Sequence, residues 1–316
     1  MSAFSFSGVI PILATPFADD EALDLASLER LVRFNFDVGV DGVTLLGLLG
    51  ESNRLTDAER ARVIRAGRAA AGTGPVIVGA SHTGTAATVD LCRQAAELGA
   101  NAVMITPLAL PVSSERAIFE FYRRVAAACP LPIVLQDHPA ISQVFMSAEL
   151  ILRLVREIPA ICCIKAESVP SPPKIEALKR GMEGGRTVPV LTGLGALYGL
   201  FDLERGSDGF NTGFAFPEVL IAILRAHRAG QPDVVRALYT RFLPLLVFEQ
   251  QPGVAIRKEI LRRRGLLACN RVRHPGATVD PATAAQLERL LEATFPGVDL
   301  TRPLEGLTPG GIEQSA

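Results

Sequence analysis

No apolar run in this 316-residue sequence reaches the ~18 residues that a membrane-spanning helix needs, because Gly, Pro or a charge interrupts each one. The opening MSAFSFSGVIPI lacks a basic segment followed by a long apolar stretch, so no signal peptide is expected. Charge of one sign is lacking as well. The formal net charge is −1, which gives no long-range field towards nucleic acid or an anionic membrane. The five cysteines, Cys92, Cys129, Cys162, Cys163 and Cys269, are odd in number and form no CxxC pair, so reduced thiols in a reducing compartment are expected. The four histidines, His82, His138, His227 and His274, show no HExxH or similar spacing, and no metal is expected. A soluble cytoplasmic protein is the simplest expectation.

What is present is an ordinary globular balance, 48 % hydrophobic and 21 % charged residues, in a chain long enough for a large core. Short apolar runs stand at 9–13, 42–46, 76–79, 102–105, 133–136, 161–165, 188–192 and 209–212. Helical patterns lie between them, near 25–39, 57–71, 84–98, 114–128, 147–157, 173–182, 195–205 and 216–229. Unbroken apolar strands separated by helices of period 3.6 indicate a parallel sheet covered by helices. Eight such units in succession predict an α/β fold, a closed (β/α)8 TIM barrel, over residues 1–230. Residues 231–300 read as a C-terminal helical extension packed on the barrel, and 301–316 as a flexible tail. Thr56-Asp57-Ala58-Glu59 reads as a capping box opening the second helix. The basic run Arg257, Lys258, Arg262, Arg263 and Arg264 falls on a helical pattern and reads as a solvated or subunit-facing surface.

In such a barrel chemistry belongs at the carboxyl ends of the strands, where the βα loops gather. Four places there hold unusual residues. After the second strand comes Gly47-Leu48-Leu49-Gly50-Glu51-Ser52-Asn53, a turn whose free backbone N–H groups suit a carboxylate, although such turns are common before helices. After the fifth comes Gln136-Asp137-His138-Pro139, where strand alternation puts Gln136 and His138 on one face and Asp137 on the other. A polar capping loop is the simpler local reading. The sixth strand ends in Ile164-Lys165-Ala166-Glu167-Ser168. Burying an ammonium is costly unless it is paired or loses its proton. A neutral amine in a dry pocket attacks carbonyls, and Glu167 can move protons beside it. A strand-end lysine reaching out to solvent is the alternative. Last, Thr192-Gly193-Leu194-Gly195 and Asn211-Thr212-Gly213 follow strands seven and eight, a region that often binds anions or merely turns tightly.

Over about residues 8–295 the chain resembles the dihydrodipicolinate synthase / N-acetylneuraminate lyase family. Pro16-Phe17, Gly47-x-x-Gly50-Glu51-Ser52, Thr106-Pro107 and Ile164-Lys165 carry the resemblance. It implies a lyase in which Lys165 forms a Schiff base with a small 2-oxo acid such as pyruvate. The lysine iminium is then the electron sink, so no external cofactor is implied. It implies also that Leu48, Leu49, Gly50 and Ser52 in the turn, with Gly193, hold the substrate's carboxylate. Asn211 offers an amide to a substrate hydroxyl if it faces the pocket, and is structural otherwise. Family members are commonly homotetramers, which implies a homo-oligomer, tetramer or dimer.

The departures from the family pattern narrow the reaction. Leu48 and Leu49 replace two threonines of the turn, Gln136 replaces a tyrosine at strand five, and Ala109 stands where a relay tyrosine is expected. Ile141 falls where an arginine would grip the aldehyde substrate's carboxylate. These losses argue against the lysine-biosynthesis reaction. Gln136-Asp137-His138-Pro139, Lys165-x-Glu167 and Val272-Arg273-His274-Pro275 resemble a narrower group. It includes L-2-keto-3-deoxyarabonate dehydratases, which make 2-oxoglutarate semialdehyde. There Glu167 would take a proton from C3 of the iminium, with Glu167, Ser52 or His138 assisting the leaving hydroxyl. Three expectations follow: a dehydratase or related deaminase of a 2-keto-3-deoxy sugar acid, a pyruvate-releasing aldolase, or an inert barrel that binds 2-oxo acids.

Overall fold

Side chains that face both a barrel interior and a helix layer have to be apolar on both sides of the strand. Thus β3 (Val76–Gly79) and β4 (Ala102–Ile105) are buried at every position. The structure is a computed structural model and describes residues 6–109, 114–250 and 253–313. The other barrel strands are β1 (Gly8–Val9), β2 (Val43–Leu45), β5 (Ile133–Asp137), β6 (Ile161–Ala166), β7 (Val190–Thr192) and β8 (Gly209–Phe210). All pair in parallel, in the order β1-β8-β7-β6-β5-β4-β3-β2. The ring closes at the bridge Ile12↔Thr44, where Leu13 N–H donates to Thr44 O at 2.9 Å and Thr44 N–H to Pro11 O at 2.8 Å. The fold is the TIM barrel that the strand–helix alternation predicts.

The barrel interior is filled by Ile10, Ile12, Ile77, Met104, Val134, Cys163 and Leu191. A larger core lies between sheet and helices. The helices are α1 (Leu25–Asp37), α2 (Asp57–Ala70), α3 (Thr85–Glu97), α4 (Glu115–Ala128), the short α5 (Pro139–Ser142), α6 (Ala148–Glu157), α7 (Ser171–Gly181), α8 (Gly199–Glu204) and α9 (Pro217–Arg228). Beyond the barrel come α10 (Pro232–Phe248), α11 (Val254–Arg263) and α12 (Pro281–Thr294). Phe295, just past α12, stacks on Phe216 and Phe242 with ring centroids at 4.7 and 5.6 Å, fastening this extension to the barrel. The capping box at Thr56 and Glu59 is formed.

Three expectations are corrected. The helical pattern near 195–205 yields an α-helix only from Gly199, after a 3₁₀ turn at Leu194–Ala196, because Leu194, Gly195 and Ala196 take positive φ of 47, 63 and 63°. The end of the chain is not frayed throughout: β9 (Glu305–Thr308) and β10 (Gly311–Glu313) form an antiparallel hairpin. The basic run in α11 is not a solvated face either. Arg257, Lys258 and Arg264 are buried at 3, 0 and 2 % exposure, on the helix side that carries Ile256, Ile260 and Leu261. Among the described residues no helix is long and apolar enough to cross a membrane.

Candidate active site

A cavity of about 470 Å³ opens at the carboxyl ends of the strands. Lys165 and Glu167 come from the end of β6, Gln136 and His138 from the end of β5, and Leu48 and Leu49 from the turn after β2; all six line the cavity. Strand alternation sorts the β5 residues as expected. Gln136 and His138 face inward, while Asp137 points to the helix layer and pairs with Lys174 of α7 at 2.6 Å.

Lys165 and Glu167 are 4 and 5 % exposed, and Lys165 Nζ lies 3.2 Å from Glu167 Oε2. That same oxygen accepts from Gln136 Nε2 at 2.7 Å, and Glu167 Oε1 accepts from Leu194 N–H at 3.1 Å. Burial raises the Glu167 carboxyl, but Lys165, His138, the Gln136 amide and the Leu194 N–H together outweigh it, and the net shift is downward. Glu167 is therefore a carboxylate at neutral pH, 3.2 Å from Lys165 Nζ. His138 is pushed down by burial, against the pull of Glu167, and its Nδ1 is buried with no hydrogen-bond partner among the described residues. It holds a neutral imidazole at the rim of the site.

The remaining expected residues stand behind this surface. Gly193 backs Glu167: a Cβ there would lie 2.1 Å from Glu167 Cγ, so the missing side chain is what lets the carboxylate in. Gly50 accepts from Thr15 Oγ1 at 2.6 Å through its carbonyl, and Ser52 offers its carbonyl to Arg60 at 3.2 Å. Neither lines the cavity. Asn211 does not line it either. Its Nδ2 donates to Ile10 O at 2.8 Å and Thr44 Oγ1 at 3.1 Å, bracing the seam where the barrel closes. Ile141 lies on the cavity rim at 55 % exposure, whereas Ala109 is exposed and outside it.

Sequence reasoning missed the support of the turn. Glu51, with a left-handed φ of 52°, is 2 % exposed and accepts from Lys258 Nζ, from Arg54 Nη1 at 2.7 Å and from Arg273 N–H at 3.0 Å. Lys258 also donates to Arg271 O at 2.7 Å and lies 4.4 Å from the Phe17 ring. Burial pulls its ammonium down to about 8 in spite of Glu51. Sequence reasoning also missed Glu249, Gln250 and Arg257, which wall the cavity from the α10–α11 corner. The one available signal lay along α11, where Arg257 and Arg264, the residue just past its end, are seven apart and so fall on the side that carries Ile256, Ile260 and Leu261.

A family model described as the dihydrodipicolinate synthetase family matches residues 5–294. The L-2-keto-3-deoxyarabonate dehydratase of Azospirillum brasilense is 37 % identical over 288 residues, covering 89 % of this chain and 92 % of that protein. The 4-hydroxy-tetrahydrodipicolinate synthase of Acidobacterium capsulatum is 32 % identical, covering 90 and 94 %. Among solved structures, dihydrodipicolinate synthase from Rhodopseudomonas palustris superposes with a TM-score of 0.86 at 36 % identity, covering 91 and 97 %. A prophage protein of the dihydrodipicolinic acid synthase family from E. coli K12, solved in complex with pyruvate, gives 0.84 at 26 %, covering 92 and 98 %.

Proposed function

The chain belongs to the dihydrodipicolinate synthetase family, and on that premise we propose that it is a Schiff-base dehydratase of a 2-keto-3-deoxy sugar acid. Supporting this above all is the buried cluster Lys165–Glu167–Gln136, with a carboxylate 3.2 Å from the amine and no tyrosine at the end of β5. The dehydratase from Azospirillum brasilense agrees in direction.

In this reading Glu167 takes a proton from the Lys165 ammonium, and the free amine attacks C2 of the substrate. Loss of the C2 oxygen as water gives an iminium. The iminium acidifies C3, and Glu167, unprotonated again, removes a C3 proton to leave an enamine. The enamine's electron pair expels hydroxide from C4, which leaves as water with a proton from the site. Loss of a C5 proton and reprotonation at C3 place the double bond between C4 and C5 as an enol. Hydrolysis of the iminium and ketonisation release a 2-oxo acid with a terminal aldehyde, one water poorer than the substrate. Gln136, amide where a phenol would stand, holds Glu167 and supplies no base at the C4 hydroxyl. That weighs against retro-aldol cleavage.

The test combines trapping and product analysis. Borohydride reduction in the presence of a 2-keto-3-deoxypentonate or pyruvate should give one covalent adduct, on the peptide holding Lys165, and Lys165→Met should give none. Turnover should yield an unbroken five-carbon product. Pyruvate among the products would replace dehydration with aldol cleavage, and folded protein that never forms an adduct would refute the Schiff-base reading itself.

A further inference from the structure

The cavity wall contributed by α11 contains a donor that no group among the described residues uses. Arg257 is 3 % exposed. Its Nε donates to Glu249 Oε2 at 2.9 Å and its Nη2 to Gly213 O at 2.6 Å, which fixes the guanidinium plane. Its Nη1 is buried without a hydrogen-bond partner among the described residues, and the residue lines the same cavity as Lys165. A buried charged N–H left without an acceptor is costly, so such a group is normally completed by something bound.

Gly213 shows where Nη1 lies. A Cβ built on it would stand 2.3 Å from Arg257 Nη1 and 2.7 Å from Leu49 Cδ1, so the guanidinium edge and the leucine lie side by side over that glycine. Leu49 belongs to the turn assigned above to the substrate's carboxylate, and neither Leu48 nor Leu49 brings a side-chain donor to it. A 3₁₀ turn over Leu48–Gly50 leaves only its first backbone N–H groups for an anion.

We propose that Arg257 Nη1 is a positioning donor to the carboxylate of the bound 2-oxo acid, supplying from α11 the side-chain hydrogen bond that the two leucines of the turn lack. The inference depends on the Schiff-base reading and adds a specificity element to it. Glu249 and the Gly213 carbonyl occupy Nε and Nη2 of the guanidinium, leaving Nη1 with its two N–H bonds for the ligand. A 2-oxo acid is then distinguished from an uncharged ketone at the α11 side of the pocket. Fixing the carboxylate there also orients C2 towards Lys165.

The experiment compares pyruvate with ethyl pyruvate, the same ketone with its carboxylate masked, by the concentration needed for half-maximal cyanoborohydride trapping on Lys165. Arg257→Met should raise that concentration for pyruvate about 10- to 100-fold, the size of a charge-assisted hydrogen bond, and leave ethyl pyruvate at its wild-type value. Arg257→Lys should recover part of the loss, and Leu49→Thr in the Arg257→Met background should recover part by restoring a hydroxyl. Gly213→Ala would set a methyl 2.3 Å from Nη1 and 2.7 Å from Cζ and Leu49 Cδ1, displacing that side of the guanidinium, so it should reproduce the pyruvate-selective loss even where Arg257→Met fails to fold. Equal losses for both ketones, or an unchanged pyruvate concentration with folded Arg257 or Gly213 variants, would overturn the inference while the Schiff-base reading stands. A wild-type protein that traps neither ketone would remove both.

Discussion

Glu167 shows how a single residue is set by opposing forces. Burial pushes its carboxyl upward, and Lys165, His138, Gln136 and the Leu194 N–H pull it below the 4.5 of an unperturbed glutamate. A base held ionised in this way loses activity only in acid. The acid limb of the kcat/KM profile should therefore fall below pH 4.5, and Glu167→Gln should abolish that limb. Turnover in Glu167→Gln should drop about 10²- to 10⁴-fold, while Lys165 still traps pyruvate at a slower rate, its ammonium then giving its proton to water. Gly193→Ala tests the same carboxylate from behind, because the new methyl would meet Glu167 Cγ at 2.1 Å. A fall in turnover of about 10²-fold is expected, with the melting curve checking the fold; an unchanged rate would show that Glu167 tolerates displacement. Lys165, Glu167, Gln136 and His138 were legible in the sequence because each interrupts or ends an apolar strand at its chemically exposed end. Asn211 was not, because a strand-end amide can face the pocket or the barrel seam, and here its donors go to Ile10 and Thr44.

At the scale of elements, β3 and β4 coincide with the apolar runs that forecast them, since strands covered on both faces leave the clearest trace. The regular strands β1 and β7 are shorter than their runs. Pro11 and Pro189 fall inside those runs, and a proline has no N–H to give to a ladder. Helix α8 was overextended because backbone signs are invisible in composition: Leu194 and Ala196 turn left-handed, and Leu194 thereby meets Glu167. The short α8 is tied to the start of α7 by Ser171 Oγ donating to Asp202 Oδ1 at 2.7 Å. Burial pushes the Asp202 carboxyl up to about 6 from 3.8. The folded chain thus binds a proton there that the unfolded chain releases, so this contribution is present in acid and is lost as pH rises from about 4 to 6. Asp202→Asn keeps an acceptor for Ser171 and removes the titration. Its stability relative to wild type should grow by up to about 3 kcal/mol across that window, as read by urea unfolding. A difference that is the same at every pH would contradict the shifted carboxyl.

For the whole molecule, the decisive contacts join parts of the chain far apart in sequence, which is why local patterns did not disclose them. Lys258 of α11 reaches Glu51 in the turn after β2, and both are buried. Lys258→Met should leave buried Glu51 with Arg54 as its remaining salt-bridge partner, costing about 3–5 kcal/mol in urea unfolding. The cost should be near zero if the pair is dispensable. The same geometry bears on how the protein comes into being. A nascent chain that has emerged through β8 already contains all eight strands, together with Lys165 and Glu167. It has no Glu249, Gln250 or Arg257 to wall the pocket, and no Lys258 to hold Glu51. Since chains emerge from their N-terminal end at a few residues per second, the barrel can close before its mouth is furnished. The pocket around Lys165 is then completed only in the last stretch of synthesis, by the part of the chain that adds no strand to the barrel.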